Sequence, residues 1–148
     1  MSLEELLRDR KIERVVASEK LARDSLRLAK RDLESAKRNF AEKDYDWSLA
    51  IAYNAMLQSG KALMLSKGYR AVGQYKHVAV LEFFHEAFGR ELTGRLTDVF
   101  NRLRKKRHRV VYEEAGAVSE QEAKNAIRWA EDFVNKTAEI LTPGKRML

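Results

Sequence analysis

Residues 46–67 read DWSLAIAYNAMLQSGKALMLSK. Apolar or small side chains occupy nearly every turn: Leu49, Ala50, Ile51, Ala52, Ala55, Met56, Leu57, Ala62, Leu63 and Met64. A single apolar stripe marks a surface helix, whereas an apolar surface all round marks a helix enclosed by others. The segment therefore predicts the central helix of a bundle. Lys43-Asp44-Tyr45-Asp46 is the polar break before it, with Asp44 or Asp46 as N-cap. Gly68 supplies the C-cap. Gly60 costs about 1 kcal/mol relative to Ala inside a helix, and its presence marks close packing.

Upstream, no breaker interrupts the chain from about Glu4 to Phe40. Val15, Ala22, Ala29 and Ala36 repeat every seven residues, with Leu26, Leu33 and Phe40 as the companion series and Glu19 spoiling its start. Small residues at one seam position call for a closely approaching helix. The first dozen residues are expected to fray or to form a separate short helix. Downstream, residues 69–76 read as a loop with Tyr69, Gly73, Tyr75 and Lys76. A shorter helix then runs from about His77 to Phe88 with Val78, Leu81, Phe84 and Phe88 on one side, ended by Gly89.

The next helix, about Leu92 to Glu114, carries the densest charge. Arg102, Arg104, Lys105, Lys106, Arg107 and Arg109 fall within eight residues, together with His108. Its apolar positions are Leu96, Val99, Phe100, Leu103, Val110 and Val111. Arg107 stands one turn after Leu103 and one before Val111, where that stripe calls for an apolar side chain. A guanidinium there needs a partner, because unpaired buried charge is very costly. Three partners are open: an interior carboxylate (Asp44, Asp46 or Glu82), a phosphate, or a second subunit. Ala115-Gly116-Ala117 breaks the helix, and Ser119 with Glu122 makes a capping box. A last helix uses Ala123, Ile127, Ala130, Val134 and Leu141, and Pro143-Gly144 closes the fold before a short basic tail. The fold class is all-α: an antiparallel, up-and-down bundle of about five helices in one domain, residues 1–148, with its core at about 12–141.

Composition bounds the rest. Residues of apolar type make up 45% and charged residues 34% of 148, with one proline and seven glycines, which suits a folded helical protein. No cysteine is present, so thiol chemistry and disulfides are excluded and a reducing cytoplasm is the expected compartment. No signal peptide is visible, and no apolar run approaches the roughly 18 residues of a membrane span. The net charge of +7 favours anionic partners. His77 and His85 read as structural or surface residues. No His, Cys or carboxylate spacing suggests a metal site, and no cofactor is expected.

Asp44-Tyr45-Asp46-Trp47-Ser48-Leu49-Ala50, then Ala52-Tyr53-Asn54-Ala55-Met56, Lys61-Ala62-Leu63-Met64 and Gly68 together resemble the signature of the HEPN domain family (higher eukaryotes and prokaryotes nucleotide-binding). His77 also matches a position where that family often has His. The likeness runs over about residues 15–140. It implies a four- or five-helix bundle, commonly a two-fold homodimer, often encoded beside a minimal nucleotidyltransferase as toxin and antitoxin. Active members cleave RNA without metal, using an Arg followed by a His after four to six residues. The Arg would hold the scissile phosphate and the His would move the proton.

Two registers of that motif are open. With Arg107 as the motif Arg, His108 is its polar neighbour and Tyr112 takes the His slot. With Arg102, His108 follows after five intervening residues. Arg107 is preferred because it is the residue misplaced on the apolar stripe. A phenol with reference pKa about 10 shuttles protons poorly at pH 7. Glu114 stands where some toxins of the family carry a Tyr that accepts a nucleotide. His108 shares a face with Arg104 and Tyr112. Lys105, Lys106 and Arg109 read as a solvated face or as a phosphate-tracking surface, with Tyr69, Tyr75 and Tyr112 as candidate stacking platforms.

Three functions follow. The first is a dimeric module that binds RNA or a nucleotide through Arg104, Arg107, Arg109 and Tyr112, working with a nucleotidyltransferase. The second is a metal-independent endoribonuclease toxin with Arg107 or Arg102 and His108 as catalytic residues. The third is a non-catalytic interaction subunit whose first helix pairs with a partner.

Overall fold

The computed structural model describes residues 2–89 and 95–142. In chain order these form α1 (Leu3–Arg8), β1 (Ile12–Arg14), α2 (Glu19–Ala41), α3 (Tyr45–Lys67), β2 (Tyr69–Ala71), a 3-10 turn (Gly73–Tyr75), α4 (Lys76–Phe88), α5 (Leu96–Tyr112) and α6 (Glu120–Leu141). The all-α expectation holds, with one two-stranded ribbon added.

α3 is the central helix. It packs against α2, α4, α5 and α6, and most extensively against α2. Ala22, Ala29 and Ala36 on α2 are buried as the seven-residue repeat requires. Their small size lets α3 approach closely enough for the Ser48 hydroxyl to donate to the Ala36 carbonyl at 2.9 Å. The α2 seam is thus spent on α3 within the same chain. Gly60 faces Val80 of α4, and a Cβ there would collide with the valine methyls. Gly68 caps α3 at φ 84°, with the Val15 carbonyl pressed against it.

The stretch without breakers from Glu4 to Phe40 is divided, and of the two alternatives for the first dozen residues the separate short helix is formed: α1 buries Leu6 completely, and Arg10 turns through φ 56°. Ile12-Glu13-Arg14 then pairs antiparallel with Tyr69-Arg70-Ala71, Ile12 opposite Ala71 and Arg14 opposite Tyr69. The presumed loop after α3 is therefore a strand and a 3-10 turn. The β-branched run Ile12-Val15-Val16 favours extended backbone, and the Ser18 side chain restarts the helix by accepting from Leu21 N–H at 3.1 Å. Val15 of the predicted seam lies in this connection, outside the helix.

Asp44 stands at the N-cap position of α3 without a side-chain cap bond. Asp46 reaches the α5–α6 loop instead, accepting from Gly116 N–H at 2.7 Å and Val118 N–H at 3.2 Å. The Ser119–Glu122 capping box is present at the start of α6. Aromatic contacts fix α5 and α4 on the core: Tyr53 meets Phe100 with centroids 5.2 Å apart, and Phe84 meets Phe133 at 4.7 Å. Gly89 follows α4 at φ 85°. The expected helix start near Leu92 and the Pro143-Gly144 stop lie outside the described residues. Among the described residues no helix is long and apolar enough to cross a membrane.

Candidate anion-binding groove

α5 buries Leu96, Phe100 and Leu103, and the next position along that stripe is Arg107. Its side chain does turn inward. The guanidinium carbon lies 5.2 Å from the ring centre of Tyr53 on α3, a residue only 1% exposed. Cation–π attraction to a desolvated ring accounts for part of what holds the charge there. Of the three partners left open, the interior carboxylate is not what meets it: among the described residues no ion pair includes Arg107 or Arg104, and Asp46 is engaged by the α5–α6 loop.

Five buried side-chain polar atoms in the described residues lack a hydrogen-bond partner, and three of them gather here: Tyr53 Oη, Arg104 Nε and Arg107 Nε. Buried polar groups are normally satisfied, so orphan donors on two guanidiniums and on the ring beneath one of them mark a region short of acceptors. Burial pushes the Tyr53 phenol up to about 12, against the opposing pull of the Arg107 and Arg104 guanidiniums. The hydroxyl therefore keeps its proton and remains a donor.

These guanidiniums form one wall of a groove of about 510 Å³ lined by Lys11, Gln74, Tyr75, His77, Val78, Arg104, Arg107 and His108. Lys11 precedes β1, Gln74 and Tyr75 belong to the 3-10 turn, and His77 sits in the first turn of α4. Among the described residues no carboxylate contributes to the wall. Lys76 lies just beyond it. Burial lowers its ammonium pKa, and Lys61 and Arg107 add to the effect. Burial also pulls the His77 imidazole below its ordinary value, with Arg104 adding to it. Cationic side chains are thus crowded here, and burial with neighbouring positive charge pushes Lys76 and His77 toward losing a proton.

The remaining residues of the basic run point elsewhere. Arg102 and Lys106 line a separate small cleft with Leu49, Val99 and Trp129, and Lys106 pairs with Glu122 at 3.2 Å. Arg109 pairs with Glu114 at 2.8 Å. Arg102 and His108 therefore sit on different faces, while Arg107, Arg104 and His108 share one. His108 stacks on Tyr112 with ring centres 5.0 Å apart and lies 3.6 Å from Glu113. Tyr112 is 73% exposed and outside the groove wall. Of the loop tyrosines, Tyr75 lines the groove with Lys11 over its ring, whereas Tyr69 packs on Phe83 and accepts from Arg14. His85 is buried. Among the described residues no cluster of three or more His, Cys, Asp or Glu could hold a metal.

Sequence reasoning missed Tyr53, Lys11 and Gln74 and undervalued His77. One signal for the last was available: Lys76-His77 opens a helix with cations, against the usual preference for acids at that end.

The family model described as HEPN domain matches residues 22–141, which spans α2 to α6. A protein of Methanocaldococcus jannaschii named "Putative toxin MJ0605" is 29% identical over 119 residues, covering 78% of this chain and 85% of the relative.

Proposed function

The chain belongs to the HEPN domain family, and from that premise we propose that it binds RNA or a nucleotide in the groove walled by Arg104 and Arg107. The observation that carries this reading is the pair of partly buried guanidiniums with orphan donor nitrogens and no counter-ion among the described residues. A buried charge without a partner is strongly destabilising. A phosphate oxygen supplies the missing acceptor, and a guanidinium fork matches phosphate geometry. Tyr75 adds a ring on which a base can stack. The protein works as a homodimer in this reading, with a minimal nucleotidyltransferase as its partner. The relative's name supports placing it in a toxin–antitoxin pair.

Fluorescence anisotropy with a short single-stranded RNA and with nucleotides tests the proposal. Arg107→Ala is expected to weaken binding about tenfold or more, and affinity should fall steeply with salt. Absence of binding to either ligand at low salt would overturn it.

One observation favours a second reading, metal-independent RNA cleavage: His77 and His108 line the same groove as the two guanidiniums. A neutral His77 can accept a 2′-hydroxyl proton while Arg107 holds the scissile phosphate. This reading predicts cleavage that persists in chelator and disappears in His77→Ala or His108→Ala. RNA left intact by concentrated wild-type protein would exclude it.

A further inference from the structure

We propose that the groove recognises a terminal phosphate, the phosphomonoester or polyphosphate end of a nucleotide or RNA, in preference to an internal diester. The inference rests on the nucleotide-binding reading above and adds which chemical group is read.

Three observations carry it. The first is charge density. α4 begins without a side-chain cap bond or an acid in its first turn, and places Lys76 and His77 there instead. Lys76 sits at the positive end of the helix dipole with Arg107 and Lys61 adding to the field there, while His77, its pKa lowered by burial and by Arg104, presents a neutral imidazole. A diester brings one negative charge, whereas a phosphomonoester brings about 1.5 to 2 at neutral pH. In a partly desolvated site each additional charge counts for much more than it does in water.

The second is donor number. The guanidiniums of Arg104 and Arg107 both line the groove, and neither is in an ion pair among the described residues. A terminal phosphoryl group presents three free oxygens to two such forks, and an internal diester only two.

The third is that the basic run of α5 is not a continuous free track. A surface that follows a backbone needs a run of free cations. Lys106 is paired with Glu122 at 3.2 Å and Arg109 with Glu114 at 2.8 Å, and Arg102 opens onto a separate cleft. The groove itself has a volume of about 510 Å³, within the range of small-ligand pockets.

The test compares RNA decamers of one sequence carrying a 5′-hydroxyl, a 5′-phosphate, a 5′-triphosphate or a 3′-phosphate, with AMP and ATP as competitors, on the full chain. A phosphorylated end is expected to bind about tenfold tighter than the hydroxyl form, and the triphosphate tighter still. If the free nucleotides compete as strongly as the phosphorylated RNA, the source is a nucleotide; if they compete weakly, it is an RNA end. Lys76→Met and Lys76→Gln should shrink the phosphate-to-hydroxyl ratio several-fold. Lys30→Met, the same charge loss on the exposed face of α2, should leave that ratio unchanged. Equal affinity for all four RNAs would overturn the inference and leave RNA binding standing. A ratio lowered equally by Lys30→Met would also overturn it, because net charge rather than the groove would then be responsible. Binding of none of the ligands would remove both readings.

Discussion

Two helices begin on either side of α5, and their first turns obey opposite electrostatic rules. α6 opens with Ser119 accepting from Glu122 N–H at 3.1 Å, while Glu122 accepts from Ser119 N–H at 3.0 Å. Glu120 and Glu122 match the helix dipole, and Lys106 of α5 closes the circuit. α4 opens with no cap bond, no acid, and Lys76 and His77 beside two unpaired guanidiniums. The first arrangement pairs its cap and its Glu122 charge within the chain and therefore serves the fold. The second is left with excess positive charge, which only something from outside the described protein atoms can relieve. That asymmetry locates the site more sharply than the basic run does, since the run is shared among three faces.

The largest expected effect comes from reversing the charge at the unrelieved end. Arg107→Glu places a carboxylate beside Arg104, fills the anion's place and should weaken RNA binding by about a hundredfold or more. The salt dependence of the residual binding should also flatten by about one unit of slope. If its affinity were to stay at the wild-type value, the groove would lose its role and the contrast between the helix starts its meaning.

The satisfied end responds in stability instead. Ser119→Ala removes one half of the capping box and should destabilise the protein by about 1 kcal/mol, read by urea unfolding, with ligand binding unchanged. Lys76→Glu should move the two properties in opposite directions. An acid in the first turn of α4 is expected to stabilise by about 0.5 kcal/mol while weakening ligand binding. If both properties improved together, the positive charge at that helix start would have no functional purpose.

The smallest effect is in the pH dependence. His77 has a folded pKa below its ordinary 6.5 through burial and Arg104, so the unfolded chain binds more protons across that window. Stability contributed by neutral His77 is present above about pH 6.5 and is lost as pH falls through the lowered folded value. For Glu122, burial alone would raise the pKa, but the Ser119 backbone and Lys106 hold it below 4.5. Its contribution is present above about pH 4.5 and is lost only in stronger acid. Urea unfolding between pH 7 and 5 should therefore show a slope that His77→Gln removes and Glu122→Gln does not.

Much of the scaffold was legible along the chain because it depends on local rules. The all-round apolar face of residues 46–67, the alanine repeat of α2, the glycine at the end of α3 and the Ser119–Glu122 pair each describe interactions within a few residues or along one helix face. The ribbon of Ile12–Arg14 with Tyr69–Ala71 was not legible, because three-residue strands have little pattern and their stability comes from a pairing more than fifty residues apart. Asp46 shows the same limit: a good cap by type, it is drawn instead to backbone donors on a distant loop.

The candidate site divides in the same way. Periodicity alone determined that Arg107 occupies an inward position, since a helix repeats every 3.6 residues whatever surrounds it. Which partner it meets was decided only in three dimensions, where Tyr53 rises from α3 beneath it and α4 brings His77 across from it. Helix faces follow from side-chain order, but the field inside a groove is summed over charges from separate elements, and that sum exists only once the elements are packed.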